Sequence, residues 1–159
     1  MDIKDLHQER QPSQVSENRI TNIITTHWNQ VRGKNPLASE KDLDINILSG
    51  VIDNCFLIRT KELLLNGQHK YTYIGKNILS AYGSDIITPH DYHDVDPLSH
   101  KNKFEEVIAL GRPITEEGQF INKNGHMVKY RQCLMPLGVD GRTIDSIFGG
   151  MRFKIFDNI

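Results

Sequence analysis

Residues 111–156, GRPITEEGQFINKNGHMVKYRQCLMPLGVDGRTIDSIFGGMRFKIF, contain three long β-forming segments separated by two turn sequences. The turns are Asn122–Gly125 and Val139–Gly141, whose Asn, Asp and Gly residues tolerate the positive φ that hairpin loops require. The segments between them are rich in β-branched and aromatic residues, which favour strands. The pattern predicts an antiparallel meander with strands at about residues 113–122, 126–137 and 143–156.

The composition is that of an ordinary folded domain. The chain has 159 residues, of which 38% are hydrophobic and 25% charged, so it can bury a core without disulfide or metal support. Its formal net charge of −1 argues against nonspecific nucleic-acid binding, which needs a concentrated basic surface. No apolar run reaches the length of a membrane span. We therefore expect neither a nucleic acid nor a membrane as partner.

The two cysteines, Cys55 and Cys133, each lie in an apolar, strand-like run. Cysteines in this setting are typically small buried thiols of a reducing compartment. The polar first residues contain no apolar signal core. These features predict a cytoplasmic protein with free thiols.

An amphipathic helix is predicted over residues 16–33. Ser16 is a suitable N-cap, apolar side chains that include Trp28 recur at helical spacing, and Gly33 is a suitable stop. Such a helix covers the core of its own domain, docks a partner or a second copy, or does both. These alternatives stay open from the sequence.

The segment between this helix and the meander is predicted to supply two strands and two helices. The strands cover residues 54–59 and 69–74, and the helices cover residues 76–82 and a longer segment that follows Asp96-Pro97. Together with the meander they predict an α+β fold, a five-stranded antiparallel sheet with helices on one face. The predicted organisation is a flexible arm over residues 1–15, the helix over 16–33 and the domain over 34–159.

Two pairs of residues in the meander carry further expectations. Gly149-Gly150 lies inside a strand, where glycine costs stability, and predicts a bulge or the close approach of another element such as the N-terminal helix. Glu116-Glu117 lies in the first meander strand, and at least one of its side chains is expected to face solvent at a sheet edge.

The order of elements resembles that of a PAS domain, with two strands, a helical middle and three antiparallel strands. More specifically, over about residues 20–155 the chain resembles small bacterial single-PAS proteins that are best represented in alphaproteobacteria. The shared features are a Trp-bearing helix followed by Arg-Gly and Pro, a Gly-Arg-Pro helix stop, a Leu-Pro-Leu-like strand, a Gly turn and an Ile/Leu-Gly strand. Here they are Trp28, Arg32-Gly33, Pro36, Gly111-Arg112-Pro113, Leu134-Met135-Pro136-Leu137, Asp140-Gly141 and Ile144–Gly150.

The resemblance implies a non-catalytic sensory or regulatory module of bacterial signalling. PAS-like modules bind small molecules between sheet and helices, or associate through flanking helices. The expected partners are therefore a small-molecule ligand and either a second copy, in a homodimer, or a signalling protein.

The resemblance does not identify a cofactor. Its flavin-binding subgroup carries an Asn-Cys-Arg-Phe motif on a helix, which Asn54-Cys55-Phe56-Leu57 matches in part, without the Arg and in a strand-like run. Haem-binding members use a His on the longer helix, where His100 is the candidate.

Five side chains are predicted to line the ligand site. Phe104 and Ile108 lie on the apolar stripe of the longer helix, and Tyr71, Tyr73 and Tyr130 lie on the strands that face it. An apolar wall with a few phenol groups is typical of small-molecule pockets. In the alternative interpretation the tyrosines fill the core and bond their hydroxyls to neighbours.

Two other functions fit the same elements. One is a small α+β enzyme in which a carboxylate or His with a shifted pKa works in an apolar pocket. The other is a purely structural dimerisation module with a filled core. Residues 90–100 hold His90, His93 and His100 among carboxylates, but Pro89, Pro97 and the irregular spacing predict a solvated loop rather than a metal site.

Overall fold

The computed structural model describes residues 20–60, 71–83 and 101–157. Within them, five strands form one sheet in the order β2-β1-β5-β4-β3, and all neighbours are antiparallel. The strands are β1 Cys55–Arg59, β2 Tyr71–Ile74, β3 Ile114–Ile121, β4 Met127–Leu137 and β5 Ser146–Phe156. The predicted meander β3-β4-β5 and the five-stranded α+β fold are confirmed.

Four α-helices accompany the sheet in the described residues. They are α1 over residues 20–32, α2 Ile45–Leu48, α3 Lys76–Tyr82 and α4 Lys101–Leu110, with short 3₁₀ turns at Glu40–Asp42 and Ile52–Asn54. None of these described helices is long and apolar enough to cross a membrane. The predicted flexible arm, residues 16–19 and the segment with His90, His93 and His100 lie outside the described residues.

Both meander turns form as their side chains predict. Asn122 Oδ1 accepts hydrogen bonds from the backbone N–H of Asn124 at 2.9 Å and of His126 at 3.0 Å, and Gly125 adopts a φ of 83°. Asp140 Oδ1 accepts from the two residues that follow Gly141, which adopts a φ of 78°. These local bonds fix the register of the long strands.

The core has two parts, one on each face of the sheet. On the inner face, α3 and α4 pack against the strands in a cluster that includes Phe56, Ile78, Phe104, Val107, Leu134 and Met151. On the outer face, α1 packs against a cluster that includes Ile24, Trp28, Cys55, Cys133, Met135 and Phe148. The sheet is therefore buried between α1 and the α3/α4 pair, which is why most of β1 and the first six residues of β5 are buried on both faces.

Helix α1 covers its own sheet in this chain. Trp28 is buried, as predicted, and its indole Nε1 donates a 2.7 Å hydrogen bond to the carbonyl of Pro136 on β4. His27, also buried, accepts a 2.8 Å hydrogen bond at Nε2 from the backbone N–H of Asp44, the residue that caps α2. Both contacts join α1 to the folded domain.

The two strand glycines are explained by close approach. β5 pairs in continuous register with β1 and β4 through Gly149 and Gly150, so the ladder contains no bulge there. A Cβ on Gly150 would lie 2.2 Å from Ile24 Cδ1, and a Cβ on Gly149 would lie 2.2 Å from the ring of Phe56. Gly149 thus leaves room for the ring of Phe56, and Gly150 leaves room for α1.

Candidate ligand site on the inner face of the sheet

Four of the five predicted site residues come together on the inner face. Tyr71, Phe104 and Tyr130 are buried members of the inner cluster, and Ile108 is partly buried against it. The fifth, Tyr73, packs against the outer cluster, and its hydroxyl donates a 2.9 Å hydrogen bond to the carbonyl of Ile52. The site proposed below therefore uses the first four residues.

A register shift in β2 separates the two tyrosines. Residues two apart in a regular strand share a face, which is why Tyr71 and Tyr73 were expected on one wall. Here Leu57 pairs with Tyr73 but the next residue, Ile58, pairs with Tyr71, so Thr72 is an extra residue in the ladder. An irregularity of this kind breaks the alternation of side chains, and it directs the two phenols to opposite faces of the sheet.

Three polar side chains meet on the inner face of β3 and β4. Tyr130 Oη donates a 3.1 Å hydrogen bond to Glu116 Oε1, and Gln132 Nε2 donates a 2.5 Å hydrogen bond to the same oxygen. Gln132 is only 1% exposed. Glu116 lies directly opposite Gln132 in the ladder and Gly118 opposite Tyr130, so the register itself brings the three groups together. We call Glu116, Tyr130 and Gln132 the polar triad.

Gly118 makes the geometry of the triad possible. A Cβ at this position would lie 2.4 Å from the hydroxyl of Tyr130. Because glycine has no side chain, the phenol of Tyr130 extends across β3 and reaches Glu116 on the same strand. The site thus requires glycine at position 118 because it has no Cβ, and not because it can adopt unusual backbone angles.

The phenol of Tyr130 remains a proton donor at neutral pH. Burial raises its pKa, and the negative charge of Glu116 together with the hydrogen bond to that carboxylate raises it further. The triad therefore presents one carboxylate acceptor bonded to a phenol and an amide. This combination can accept a hydrogen bond from a ligand and fix its orientation, but it contains no nucleophile activated for covalent chemistry.

Aromatic rings cover the same inner face, and one of them, Phe120, lies beside Tyr130 of the triad. Phe56 lies edge-to-face with Tyr71 at a centroid distance of 5.7 Å and 6.2 Å from Phe104. Phe120 stacks on Tyr82 at 4.7 Å and lies 5.9 Å from Tyr130. A polar group within such an apolar surround is the arrangement that small-molecule sites share.

Two members of the triad were not among the predicted site residues. Of the Glu116-Glu117 pair, Glu117 is exposed, as expected for at least one of them, whereas Glu116 is directed inward. The missed signal was the turn at Asn122–Gly125, because it fixes the register that sets Glu116 against Gln132. A carboxylate and an amide that share the inward face of a hairpin predict a buried hydrogen bond.

Cys55 lies in a strand, whereas the flavin-binding subgroup of the resemblance carries its Cys on a helix. It lies in strand β1 within the outer cluster, on the face opposite the triad. Burial raises its pKa above the ordinary thiol range, and burial also raises the pKa of Cys133 to about 11. Its place in a strand of the outer cluster does not match the helix-borne Cys of that subgroup, and no photochemical step is derived from it.

The described residues contain no group of three or more His, Cys, Asp or Glu side chains that could hold a metal ion. The enzyme alternative needs a carboxylate or His with a pKa suited to catalysis in a pocket. Among the described carboxylates, Asp140 has a lowered pKa because the backbone N–H groups of Thr143 and Arg142 donate to it, and it lies on an exposed turn. It does not supply such a group.

Comparison with solved structures identifies the fold. The PAS domain of the fruit-fly ELK potassium channel matches 72% of this chain and 96% of its own, with a TM-score of 0.52 and 14% sequence identity. The chain has the PAS fold. A Light-Oxygen-Voltage domain studied with a flavin analogue matches 69% of this PAS chain and 83% of its own, with a TM-score of 0.50 and 12% identity.

A third structure, the LOV protein of Rhodobacter sphaeroides, is matched over 65% of this PAS chain and 62% of its own length, with a TM-score of 0.46 and 15% identity. The match thus spans less than two thirds of that protein. Neither the family models nor the curated proteins searched contain a match to the sequence. The PAS architecture rests on the two structural matches with TM-scores of 0.52 and 0.50, and the bacterial subgroup remains a prediction.

Proposed function

We propose that this PAS domain is a non-catalytic sensory or regulatory module that binds a small molecule on the inner face of its sheet. The polar triad is the observation that carries the proposal. A nearly fully buried amide and a buried phenol both donate to one carboxylate on an inner face that is rich in aromatic rings. Buried polar groups are costly unless they are hydrogen-bonded, and a satisfied network of this kind specifies the geometry of its surroundings.

The proposed ligand is small and amphipathic. Its apolar part lies against Phe104 and Ile108 of α4 and against Tyr71 of β2, which are buried or partly buried on the inner face. Its polar part donates a hydrogen bond to the carboxylate of Glu116, whose position is fixed by Tyr130 and Gln132. Apolar burial supplies affinity, and the triad supplies orientation.

A route from this site to the surface follows from strand geometry. Along β4 the inward residues Tyr130 and Gln132 alternate with the outward residues Arg131 and Cys133, so a shift of the strand at the triad moves both faces. Cys133 lies in the cluster that holds α1. In this proposal ligand binding changes the packing of α1 or of the outer sheet face, and a second copy or a cytoplasmic signalling protein senses the change.

A matched pair of tyrosine variants tests the site. Tyr130→Phe removes the hydroxyl that donates a hydrogen bond to Glu116 within the triad. Tyr73→Phe removes the hydroxyl that donates to the carbonyl of Ile52, and its side chain lies on the opposite face. In a thermal-shift screen of small amphipathic metabolites, we expect a stabilising compound for wild type and for Tyr73→Phe, with a much smaller shift for Tyr130→Phe. Equal shifts in the two variants would place the ligand elsewhere and contradict the proposed site.

A purely structural dimerisation module is the second candidate. The observation that favours it is a well-filled inner cluster, in which the side chains of Phe104 and Val107 are fully buried. Sedimentation velocity at several protein concentrations distinguishes the two functions when combined with the screen. A tight dimer that no compound stabilises would support the structural module against the sensor.

A further inference from the structure

Strand β3 is an open edge of the sheet. It ends the strand order β2-β1-β5-β4-β3, and in the described parts of the chain no strand pairs with its other side. Its residues alternate between partly buried and exposed from Ile114 to Ile121, and Ile121 is 61% exposed. An edge of this kind presents unpaired backbone groups to which another strand can bind.

The turn at the end of β3 shows which backbone groups are unpaired. The backbone N–H of Asn122 donates a 2.8 Å hydrogen bond to the carbonyl of His126, so these two residues form a hydrogen-bonded pair next to the β3-β4 ladder. Pairing continues without a shift to Ile114 and Leu134, and hydrogen-bonded pairs alternate with non-bonded pairs along an antiparallel ladder. The even-numbered residues of β3 therefore bond β4. The odd-numbered residues direct their N–H and C=O groups away from β4, and we call them the open-edge residues: Thr115, Glu117, Gln119 and Ile121.

Strand β3 lacks the features that normally protect an edge strand, which are short length, a bulge, Lys or Pro. The opposite edge, β2, has two of these features, since it is four residues long and contains the register shift at Thr72. β3 has eight residues in continuous register, and its sequence ITEEGQFI contains neither Lys nor Pro. Of its two carboxylates, Glu116 is bonded within the polar triad and Glu117 lies 3.8 Å from Nε of Arg131.

The sequence of β3 is complementary to itself in one antiparallel register. With Gly118 of two copies opposite each other, Thr115 lies opposite Ile121 of the other copy, and Glu117 lies opposite Gln119. Every open-edge residue then forms a hydrogen-bonded pair, in which both N–H groups and both carbonyls are used. A shift by two residues in either direction leaves one open-edge residue outside the pairing, and in one direction it also sets Glu117 opposite Glu117, which is destabilising.

The side chains fit this register. Glu117 and Gln119 oppose a carboxylate to an amide, and Thr115 opposite Ile121 covers a β-branched side chain that is exposed in the single chain. On the inner face, the two Gly118 residues form a non-hydrogen-bonded pair, where opposed positions are closest. The phenol of Tyr130, which occupies the place of a Cβ on Gly118, therefore meets no side chain of position 118 in the other copy.

We propose that β3 pairs antiparallel with β3 of a second copy and joins the two sheets into one continuous sheet. The occupant is a second copy because a single register satisfies all four open-edge residues and opposes no like charges. This dimer does not use α1 and differs from association through flanking helices. The inference does not depend on the inner ligand site, since it rests on the backbone groups of β3 that face away from β4.

Amide hydrogen exchange of the full chain tests the pairing. Exchange of individual amides is followed by NMR at about 30 µM and about 1 mM protein. At the higher concentration, we expect the N–H groups of the open-edge residues to exchange at least about tenfold more slowly. The N–H groups of Glu116, Gly118 and Phe120 should be protected at both concentrations, because they bond β4. Fast exchange of the open-edge amides at both concentrations would overturn the proposal. Their protection in a protein that sediments as a monomer would also overturn it, since another segment of the same chain would then occupy the edge.

A proline variant provides the second measurement. Gln119→Pro removes an N–H that faces away from β4, a place where an edge strand tolerates proline, and a symmetric dimer loses this donor twice. Gln119→Ala removes the same side chain but keeps the N–H. In sedimentation velocity, we expect the Kd of the dimer to rise at least about tenfold for Gln119→Pro and to stay within about threefold of wild type for Gln119→Ala.

Two sedimentation results would contradict the proposed dimer. One is a folded Gln119→Pro variant that dimerises as tightly as wild type, because the dimer would then form at another surface. The other is a wild-type protein that stays monomeric at about 1 mM. If Gln119→Pro does not fold, the alternation of protected and newly protected amides along wild-type β3 decides the question.

Discussion

The indole of Trp28 and the carbonyl of Pro136 are joined by a 2.7 Å hydrogen bond between positions 108 apart in the sequence. β3 pairs with β4 as far as Leu134, so Pro136 lies beyond the end of that ladder. Proline, which has no N–H to donate, is tolerated at such a position. The indole N–H donates to a carbonyl that the ladder with β3 does not reach. This hydrogen bond attaches α1 to β4, the middle strand of the meander.

Replacing Trp28 tests this attachment. Trp28→Phe keeps most of the apolar contact but removes the N–H, and we expect a loss of about 1–2 kcal/mol in the free energy of unfolding. Trp28→Ala also creates a cavity and should cost about 3–5 kcal/mol. Urea denaturation followed by circular dichroism measures both. Equal stabilities for the wild type and the Phe variant would show that the hydrogen bond contributes nothing.

The approach of α1 to β5 makes a second prediction. Gly150→Ala places a methyl group against Ile24 Cδ1 in a fully packed site and should destabilise the fold by about 1–3 kcal/mol. Ile24→Val removes that methyl, so the double variant should recover part of the loss, with a favourable coupling measured by a double-mutant cycle.

Gly50→Ala is the matched control for this cycle. A Cβ on Gly50 would have no atom within 4 Å, and the substitution should be neutral or slightly stabilising. If Gly150→Ala changes the free energy of unfolding as little as Gly50→Ala does, α1 does not approach β5 as closely as described.

The two thiols are expected to be unreactive in the native state. Burial raises the pKa of Cys133 to about 11 and that of Cys55 further, so neither forms appreciable thiolate at neutral pH. An aromatic disulfide reagent should therefore modify both only after unfolding in denaturant. Rapid modification of either thiol in the native protein, tested with Cys55→Ala and Cys133→Ala to assign the site, would contradict the buried position.

The turn at Asp140 gives a pH-dependent prediction. Backbone donors from Arg142 and Thr143 lower the pKa of Asp140 from its usual 3.8, so the folded state favours the carboxylate. The resulting stabilisation is present above the pKa of the unfolded chain and is lost as pH falls through the lower folded value. The stability difference between wild type and Asp140→Ala should accordingly be larger at neutral pH than in acid. A difference that stays constant across this range would show that the charged form has no role.

The local parts of the fold were predictable from the sequence. The two predicted turns of the meander depend on neighbouring residues, and in the structure Asn122 and Asp140 accept hydrogen bonds from backbone N–H groups two positions further on. The burial of Trp28 followed from helical spacing. In these cases nearby residues alone determine the structure.

The site was less predictable because it depends on contacts between strands. The register shift at Thr72 places Tyr73 on the outer face, and the alternation of residue types along β2 does not indicate this shift. Gln132 lies in a largely apolar strand and gains its role only through the register that places it opposite Glu116. The choice of face for α1 depends on Gly150, a residue more than a hundred positions away.

The inner site makes a prediction about the triad itself. Gln132→Leu removes the amide that bonds Glu116 and leaves that carboxylate next to an apolar side chain, which should destabilise the ligand-free protein by about 1–3 kcal/mol. The same variant should also lose the thermal shift that a ligand gives to wild type. Full retention of both stability and ligand response would exclude a role for the triad.

Native mass spectrometry of freshly purified wild-type protein, beside Tyr130→Phe and Tyr73→Phe, tests the central claim most directly. A non-covalent adduct of one defined small mass is predicted for wild type and for Tyr73→Phe, with its occupancy strongly reduced in Tyr130→Phe. Adding that compound back at about a hundredfold excess over Kd should stabilise the wild-type fold by about 2.7 kcal/mol. Spectra that show only the bare polypeptide mass for all three proteins, with no stabilising compound in the metabolite screen, would contradict ligand sensing on the inner face of the sheet.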